Sequence, residues 1–183
     1  MATETTKDAV IVVPSEQQQN IQVSENAAGT AVAFQQPTTN AEVVVTGNVV
    51  STGSTVKDST FTFTEQGSLT FQNKVVSSSI NATIGNDSIA FGEKSKSVKA
   101  DLGLGSDSVA FGGGSTIKDT KISLGVDDGT QDVVAIDKAK DVKSLKVTNF
   151  GKEDKLIVNG QTFSAKDLKN GNSPSDNITI KFN

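Results

Sequence analysis

The 183-residue sequence contains no cysteine, histidine, tryptophan or tyrosine, and every one of its 17 basic residues is a lysine. Without histidine or cysteine there is no imidazole base, no thiol nucleophile and no ordinary zinc, copper or haem ligand set. Without arginine there is no side chain that clamps a phosphate or carboxylate with two parallel hydrogen bonds. We therefore expect a protein that is not an enzyme, with no catalytic and no cofactor-binding residues.

The balance of charge is acidic, with a formal net charge of −4 at pH 7. Duplex nucleic acid binds proteins that neutralise its phosphates, so nucleic acid is not an expected partner. The apolar run near the start, Ala9–Val13, is too short for the core of a signal peptide or for a membrane span. We therefore expect neither a cleaved N-terminal signal nor membrane insertion.

One phrase occurs twice at a spacing of twenty residues, as Gly-Asn-Asp-Ser-Ile-Ala-Phe-Gly at 85–92 and Gly-Ser-Asp-Ser-Val-Ala-Phe-Gly at 105–112. A phrase that recurs with its apolar residues in register is typical of stacked coils. The sequence predicts an all-β, parallel β-solenoid (a β-helix or β-roll) with about twenty residues and two short strands in each coil. The predicted inward positions are Leu69, Ile89 and Val109 with Phe71, Phe91 and Phe111 in the first strand, and Ala82, Leu102 and Ile122 with Ile84, Leu104 and Leu124 in the second, followed by Gly85, Gly105 and Gly125.

The chain divides into three predicted regions. Residues 1–29 are an N-terminal arm or cap, which contains the strand-like runs Ala9–Val13 and Ile21–Val23. Residues 30–160 are the solenoid, which begins at Ala31–Phe34 and lengthens its period to about twenty-four residues after Asp132. Residues 161–183 are a C-terminal cap that ends in an alternating strand.

Three aspartates, Asp87, Asp107 and Asp127, recur at the same predicted position and would stack their carboxylates about 5 Å apart. Two interpretations are open. In the first, Ca²⁺ lies between them, and Asp128 and Asp132 contribute from the wider turn that follows. In the second, these aspartates are ordinary exposed turn residues. Neither interpretation requires a cofactor for the fold.

The segment Gly103-Leu-Gly-Ser-Asp-Ser-Val-Ala110 resembles the RTX nonapeptide, and residues 84–160 as a whole resemble an RTX-type β-roll with the closing module of proteins exported by a type I route. The resemblance implies calcium held in the turns and an extracellular location. The turns on the opposite side, at 92–97 and 112–116, are rich in lysine or glycine where an RTX roll has Gly-Asp.

A second resemblance covers residues 88–116. Ser88-Ile-Ala-Phe-Gly-Glu-Lys-Ser95 and Ser108-Val-Ala-Phe-Gly-Gly-Gly-Ser115 are similar to the S-V-A-x-G-x-x-S phrase of YadA-like trimeric adhesin heads. This resemblance implies an adhesive or fibre-like solenoid and self-association as a homotrimer.

The expected function is that of a non-enzymatic structural β-solenoid in a surface assembly. We expect a virion component at the virion surface, namely a capsid decoration, knob or fibre, whose partners are itself and a larger surface such as a capsid. The alternative is a bacterial adhesin, surface-layer or matrix protein, extracellular or at the cell surface, with RTX-like calcium-binding character. A third candidate is a polysaccharide-active solenoid enzyme. The lysine-rich stretches at 94–99 and 138–146 are expected to be solvated, with contact to an acidic partner surface as the alternative.

Overall fold

The computed structural model describes residues 20–23, 31–34, 36–45 and 49–183. Within these ranges the chain winds through about six turns of about twenty residues each, and equivalent strands of successive turns pair in parallel. The predicted fold class, a parallel β-solenoid, is therefore confirmed. The predicted strand at Ala9–Val13 lies outside the described residues.

The strands in chain order are β1 (Asn20–Val23), β2 (Ala31–Phe34), β3 (Thr38–Thr39), β4 (Glu42–Val45), β5 (Val49–Thr52), β6 (Val56–Lys57), β7 (Thr60–Phe63), β8 (Ser68–Phe71), β9 (Val75–Val76), β10 (Ser79–Ala82), β11 (Ser88–Phe91), β12 (Ser95–Lys96), β13 (Lys99–Asp101), β14 (Ser108–Phe111), β15 (Ile117–Lys118), β16 (Thr120–Ser123), β17 (Val133–Ile136), β18 (Leu145–Phe150), β19 (Lys155–Val158), β20 (Gln161–Ser164) and β21 (Ile178–Phe182). A 3₁₀ turn spans Ala139–Asp141, and the helix α1 spans Ala165–Lys169.

These strands form three sheets, so each full coil has three sides. Sheet A has the order β2-β5-β8-β11-β14-β17-β19-β20, and sheet B has the order β1-β4-β7-β10-β13-β16-β18-β21. Sheet C, between them, is made of the two-residue strands β3, β6, β9, β12 and β15. The prediction of two strands per coil missed sheet C, because a two-residue strand is too short to show an alternating pattern.

Phenylalanine rings fill the centre of the solenoid. Phe71, Phe91 and Phe111 lie above one another on sheet A, with centroids 5.3 Å and 4.9 Å apart and rings nearly parallel. Thr52 takes the same position one coil earlier, where a ring is missing. Phe61 of sheet B fills this gap and contacts Phe71 edge-on at 5.5 Å. The predicted first-strand positions are therefore confirmed as buried core.

The predicted alignment of the second strand is wrong in two respects. Ile122 pairs with Ala100, not with Leu102, because the turn at 112–116 contains two extra residues that move Ile117 into the place of Ser95. Ile84 and Leu104 pair with each other but lie outside the core, with 54% and 43% of their surfaces exposed.

The two ends of the described stack differ. β1 pairs in parallel with β4 at one end. At the other end β20 turns back and pairs antiparallel with β19, and α1 follows directly. Ser164 and Asp167 form a capping box that starts this helix. No helix in the described part of the chain is long and apolar enough to cross a membrane.

Candidate functional site

One corner of the solenoid carries a column of aspartates. Asp87, Asp107, Asp132 and Asp154 occupy the inward position just before successive strands of sheet A, and each is at least 94% buried. Each carboxylate reaches back by one coil and accepts a hydrogen bond from a backbone N–H. The donors are Gly67, at 2.6 Å from Asp87 Oδ1, and then Asp87, Asp107 and Asp132, at 2.7, 2.8 and 3.0 Å from the Oδ1 atom of the next aspartate.

A steric contact marks the start of this aspartate column, and an additional hydrogen bond marks its end. Gly67 occupies the first position because the Phe63 ring fills the space of its side chain, so that a Cβ there would lie 2.0 Å from the ring. At the other end, Asp154 Oδ2 accepts a further hydrogen bond of 2.7 Å from the N–H of Gly151. The last carboxylate therefore has partners for both of its oxygens.

The first two aspartates of the column have a hydrogen-bond partner for only one of their two carboxylate oxygens. The Oδ2 atoms of Asp87 and Asp107 are buried and have no hydrogen-bond partner. Burial away from water raises the pKa of Asp87 to about 6 and that of Asp107 to about 6, although the backbone hydrogen bonds oppose the shift. Burial also raises the pKa of Asp132 to about 7, with the nearby carboxylates of Asp154, Asp107 and Asp128 adding to it. These three groups bind protons more tightly than ordinary aspartates.

The prediction that Asp127 stacks on Asp107 is wrong. Val133 pairs with Ser108, which places Asp132 in the column and leaves Asp127 and Asp128 in the longer loop before it. Asp127 Oδ1 accepts a hydrogen bond from Gly129 N–H at 3.3 Å, and its carboxylate packs against Gly151. The sequence offered a signal for this shift, since Asp132 precedes Val-Val-Ala-Ile as Asp107 precedes Ser-Val-Ala-Phe.

Asp128 fastens this loop to the previous coil. Its Oδ2 accepts a hydrogen bond from Gly105 N–H at 2.9 Å, and its Oδ1 accepts from the backbone and hydroxyl of Thr130. The Thr130 hydroxyl and backbone hydrogen bonds lower the pKa of this exposed carboxyl. The role of Asp128 seen here is to hold the loop in place.

The five aspartates of the calcium hypothesis are thus divided between two settings. Asp87, Asp107 and Asp132 lie inside the corner and bind backbone N–H groups, whereas Asp127 and Asp128 lie in the exposed loop. Across residues 20–23, 31–34, 36–45 and 49–183, no three carboxylates come together as a group that could hold a metal ion. Calcium binding stays a prediction.

A groove of about 420 Å³ runs over the outer face of sheet B. The parallel register places Lys99, Lys121 and Lys146 side by side on three successive strands at its edge. Neighbouring strands lie about 4.8 Å apart, so the lysines form a row along the solenoid axis. The next outward positions on these strands and on β10 also line the groove, and they are Asn81, Asp101, Ser123 and Thr148.

Among the residues that the structure describes, the three lysines of this row have no acidic partner. Ion pairs within the described ranges join Lys57 to Asp58 and Lys152 to Glu153, both away from the groove. Two like charges about 5 Å apart in water repel by roughly 0.8 kcal/mol, so the pairing of the strands, not mutual attraction, holds the lysines together. A one-dimensional reading finds 94–99 and 138–146 as separate lysine-rich stretches and misses the row, because its members are 22 and 25 residues apart.

The outer face of sheet A has a different character. Four successive strands of sheet A, namely β8, β11, β14 and β17, each present two outward side chains. None of these side chains is charged and none is larger than valine. The eight residues are Ser68, Thr70, Ser88, Ala90, Ser108, Ala110, Val133 and Ala135. This surface is flat and able to approach another surface closely.

These features define the molecule as a three-sided parallel β-solenoid with an uncharged surface from β8 to β17 on one face and a row of lysines on another. Comparison with protein-family models, with curated proteins and with solved structures gave no match.

Proposed function

We propose that this protein is a non-enzymatic structural component of a surface assembly, present in many copies and packed through the outer face of sheet A. The observation that supports the proposal is the run of eight small, uncharged outward side chains from Ser68 to Ala135. Small side chains let two sheets pack face to face about 10 Å apart without burying a charge.

The size of this face favours an assembly of many contacts over an isolated dimer. Four-residue strands about 13 Å long, stacked over the four coils from β8 to β17, give an uncharged face of roughly 250 Å². A standard stable interface buries about 800 Å² on each partner. One such contact is therefore weak alone, and a homotrimer or an array on a larger surface multiplies it.

The proposed location is the surface of a virion, as a capsid decoration, knob or fibre protein. A single hydrophobic core that runs through the described coils from Phe34 to Ile178 supports a stiff spacer of this kind. The second candidate is an extracellular adhesin or matrix protein of a bacterial cell surface, which the unpaired lysine row on sheet B favours. Neighbouring genes for capsid, portal and tail proteins would support the first, whereas genes for an ABC exporter and its periplasmic partner would support the second.

Self-association tests the packing proposal directly. We expect light scattering and sedimentation at increasing concentration to give masses above that of the 19.0 kDa monomer. The double variant Ala90→Lys/Ala110→Lys places two charges at the centre of the uncharged face and should remain monomeric. The matched variant Thr62→Lys/Asn81→Lys adds the same charge at adjacent positions of sheet B and should associate like the parent. A parent chain that stays a monomer at high concentration would count against the proposal.

A further inference from the structure

The lysine row on sheet B is a surface for which the assembly proposal gives no role. Lys99 and Lys121 are exposed and Lys146 is partly buried, and all three lie on the same side of one groove. The single acidic residue in the groove lining is Asp101, and it forms no ion pair with them. The groove therefore presents uncompensated positive charge on a chain whose net charge is negative.

We propose that this groove binds a linear anionic polysaccharide that lies along the solenoid axis, with its acidic groups on Lys99, Lys121 and Lys146. The register supplies the spacing, because one cation recurs with each coil at about 4.8 Å. A glycan with one carboxylate on each sugar unit repeats its charge over a comparable length. One ligand chain can thus contact all three lysines without a bend.

The second row of the groove selects for a ligand with hydroxyl groups. Asn81 offers uncharged donors and an acceptor. The Ser123 hydroxyl accepts from Gly125 N–H and Asn149 Nδ2 and can still donate, whereas the Thr148 hydroxyl donates to the Ile122 carbonyl and can still accept. Asp101 accepts hydrogen bonds but repels anions. The side chains of Ile80, Ala100 and Ile122, which lie beneath the groove, are buried in the core and at most 4% exposed, so the floor offers no apolar anchor. An acidic peptide would normally need aromatic or aliphatic anchors in a pocket. Alternating hydroxyls and acidic groups match this lining better.

The proposal is independent of the assembly through sheet A, because it uses the opposite long sheet. The probes are polygalacturonate oligomers, which carry carboxylates, heparin-derived oligomers, which carry sulfates as well, and a neutral glucan, each measured by titration calorimetry at two salt concentrations. We expect one or both anionic glycans to bind, with an affinity that falls as salt rises, and the neutral glucan not to bind. The difference between the two anionic probes identifies the acidic group.

Two matched triple variants of lysine test whether the anionic glycan binds in the groove. Lys99→Gln/Lys121→Gln/Lys146→Gln should weaken binding of the anionic glycan by at least about tenfold, since three charge contacts are lost. Lys138→Gln/Lys140→Gln/Lys143→Gln removes the same charge from exposed lysines outside the groove and should change it by less than about twofold. Equal effects of the two variants, no binding of either anionic glycan, or equal affinity for single-stranded DNA or polyphosphate of similar charge would overturn the proposal.

Discussion

Two corners of the solenoid solve the same hydrogen-bonding problem with different side chains. At the corner between sheets C and B, Ser59 Oγ accepts a hydrogen bond from Ala41 N–H at 3.1 Å and donates one to Lys57 carbonyl at 2.8 Å. At the corner between sheets B and A, Asp107 Oδ1 accepts from Asp87 N–H, but Asp107 Oδ2 has no partner. A hydroxyl both donates and accepts, whereas an ionised carboxylate only accepts. Ser59 therefore has its hydrogen bonds at every pH, whereas the ionised carboxylate of Asp107 does not. We call these two places the serine corner and the aspartate corner.

The backbones of the two corners differ as well. In the five described coils that contain it, the serine corner turns through a left-handed residue other than glycine. The φ angle lies between 50° and 54° at Asn40, Asp58, Ser77, Ser97 and Asp119. The aspartate corner turns through Gly85 and Gly105, with φ of 111° and 133°. A Cβ on Gly105 would lie 1.9 Å from the carbonyl oxygen of Gly85. The aspartate corner is therefore the more closely packed and the less tolerant of substitution.

The largest expected effect comes from breaking the aspartate corner at its glycine. Gly105→Ala should lower the free energy of unfolding by more than about 3 kcal/mol, because the new Cβ combines a strained backbone with contact to the next coil. Gly114→Ala is the control, since Gly114 has a similar φ of 112° and no atom within 4 Å of the added Cβ. It should cost about 1–2 kcal/mol in urea unfolding. Equal losses for the two variants would show that packing between coils is not the cause.

The next effect is a dependence of stability on pH that the aspartate corner shows and the serine corner does not. The pKa values of Asp87 and Asp107 are raised to about 6 and that of Asp132 to about 7, above the ordinary 3.8. A raised pKa in the folded state gives stability that is fully present below about pH 4 and is lost as pH rises through 6 to 7. We expect urea unfolding to show a fall on the order of 2 kcal/mol for each carboxyl between pH 4.5 and 8. The lowered pKa values of Asp128 and Asp167 act in the opposite direction, below about pH 4.

Variants at both corners test whether the buried aspartates cause this dependence of stability on pH. Asp107→Asn keeps an acceptor for Asp87 N–H and should reduce the fall by about one third. Asp101→Asn changes the net charge equally at an exposed site and is the matched control. Ser59→Ala should lower stability by about 1 kcal/mol at every pH, so that its curve runs parallel to that of the parent. A parent curve that stays flat or rises from pH 4.5 to 8 would refute the assignment to buried carboxyls.

The smallest expected effect tests whether a buried hydroxyl stabilises the fold only when its hydrogen bonds are made. Thr52 is fully buried on sheet A, and its hydroxyl has no hydrogen-bond partner. Thr52→Val keeps the shape and removes the orphaned group, so it should raise the free energy of unfolding by about 1 kcal/mol. Thermal and urea unfolding measure this gain, with Ser59→Ala as the opposite case of a satisfied hydroxyl. A loss of stability in Thr52→Val would contradict the argument.

The fold could be predicted because the core residues of stacked coils recur in the sequence at a fixed spacing. Phe71, Phe91 and Phe111 recur every twenty residues and are buried in register. The prediction failed where a turn changed its length, as between Phe111 and Ile117, because an alignment at constant spacing cannot tell an insertion from a change of face. Asp127 was placed in the aspartate column for the same reason, five residues before its true member, Asp132.

The candidate sites were harder to predict, because they depend on neighbours across coils. The sequence marks Asp87 and Asp107 as special but does not show that each binds a backbone N–H of the preceding coil. It also does not show that Lys99, Lys121 and Lys146 share one groove. Charge patterns along a chain reveal clusters within one turn, whereas a solenoid builds its surfaces from residues one coil apart.

The unequal coil lengths have a consequence for engineering. The distance in sequence between directly paired positions of the parallel strands of sheet A varies from 18 residues, between Phe34 and Thr52, to 25 residues, between Phe111 and Ile136. The corners absorb these differences while the strands keep their register. The loop after Gly125 is the longest such addition, and Val126 at its start is 73% exposed. A foreign peptide grafted into this loop would be displayed at a fixed height on a rigid support, with the sheets beneath it unchanged.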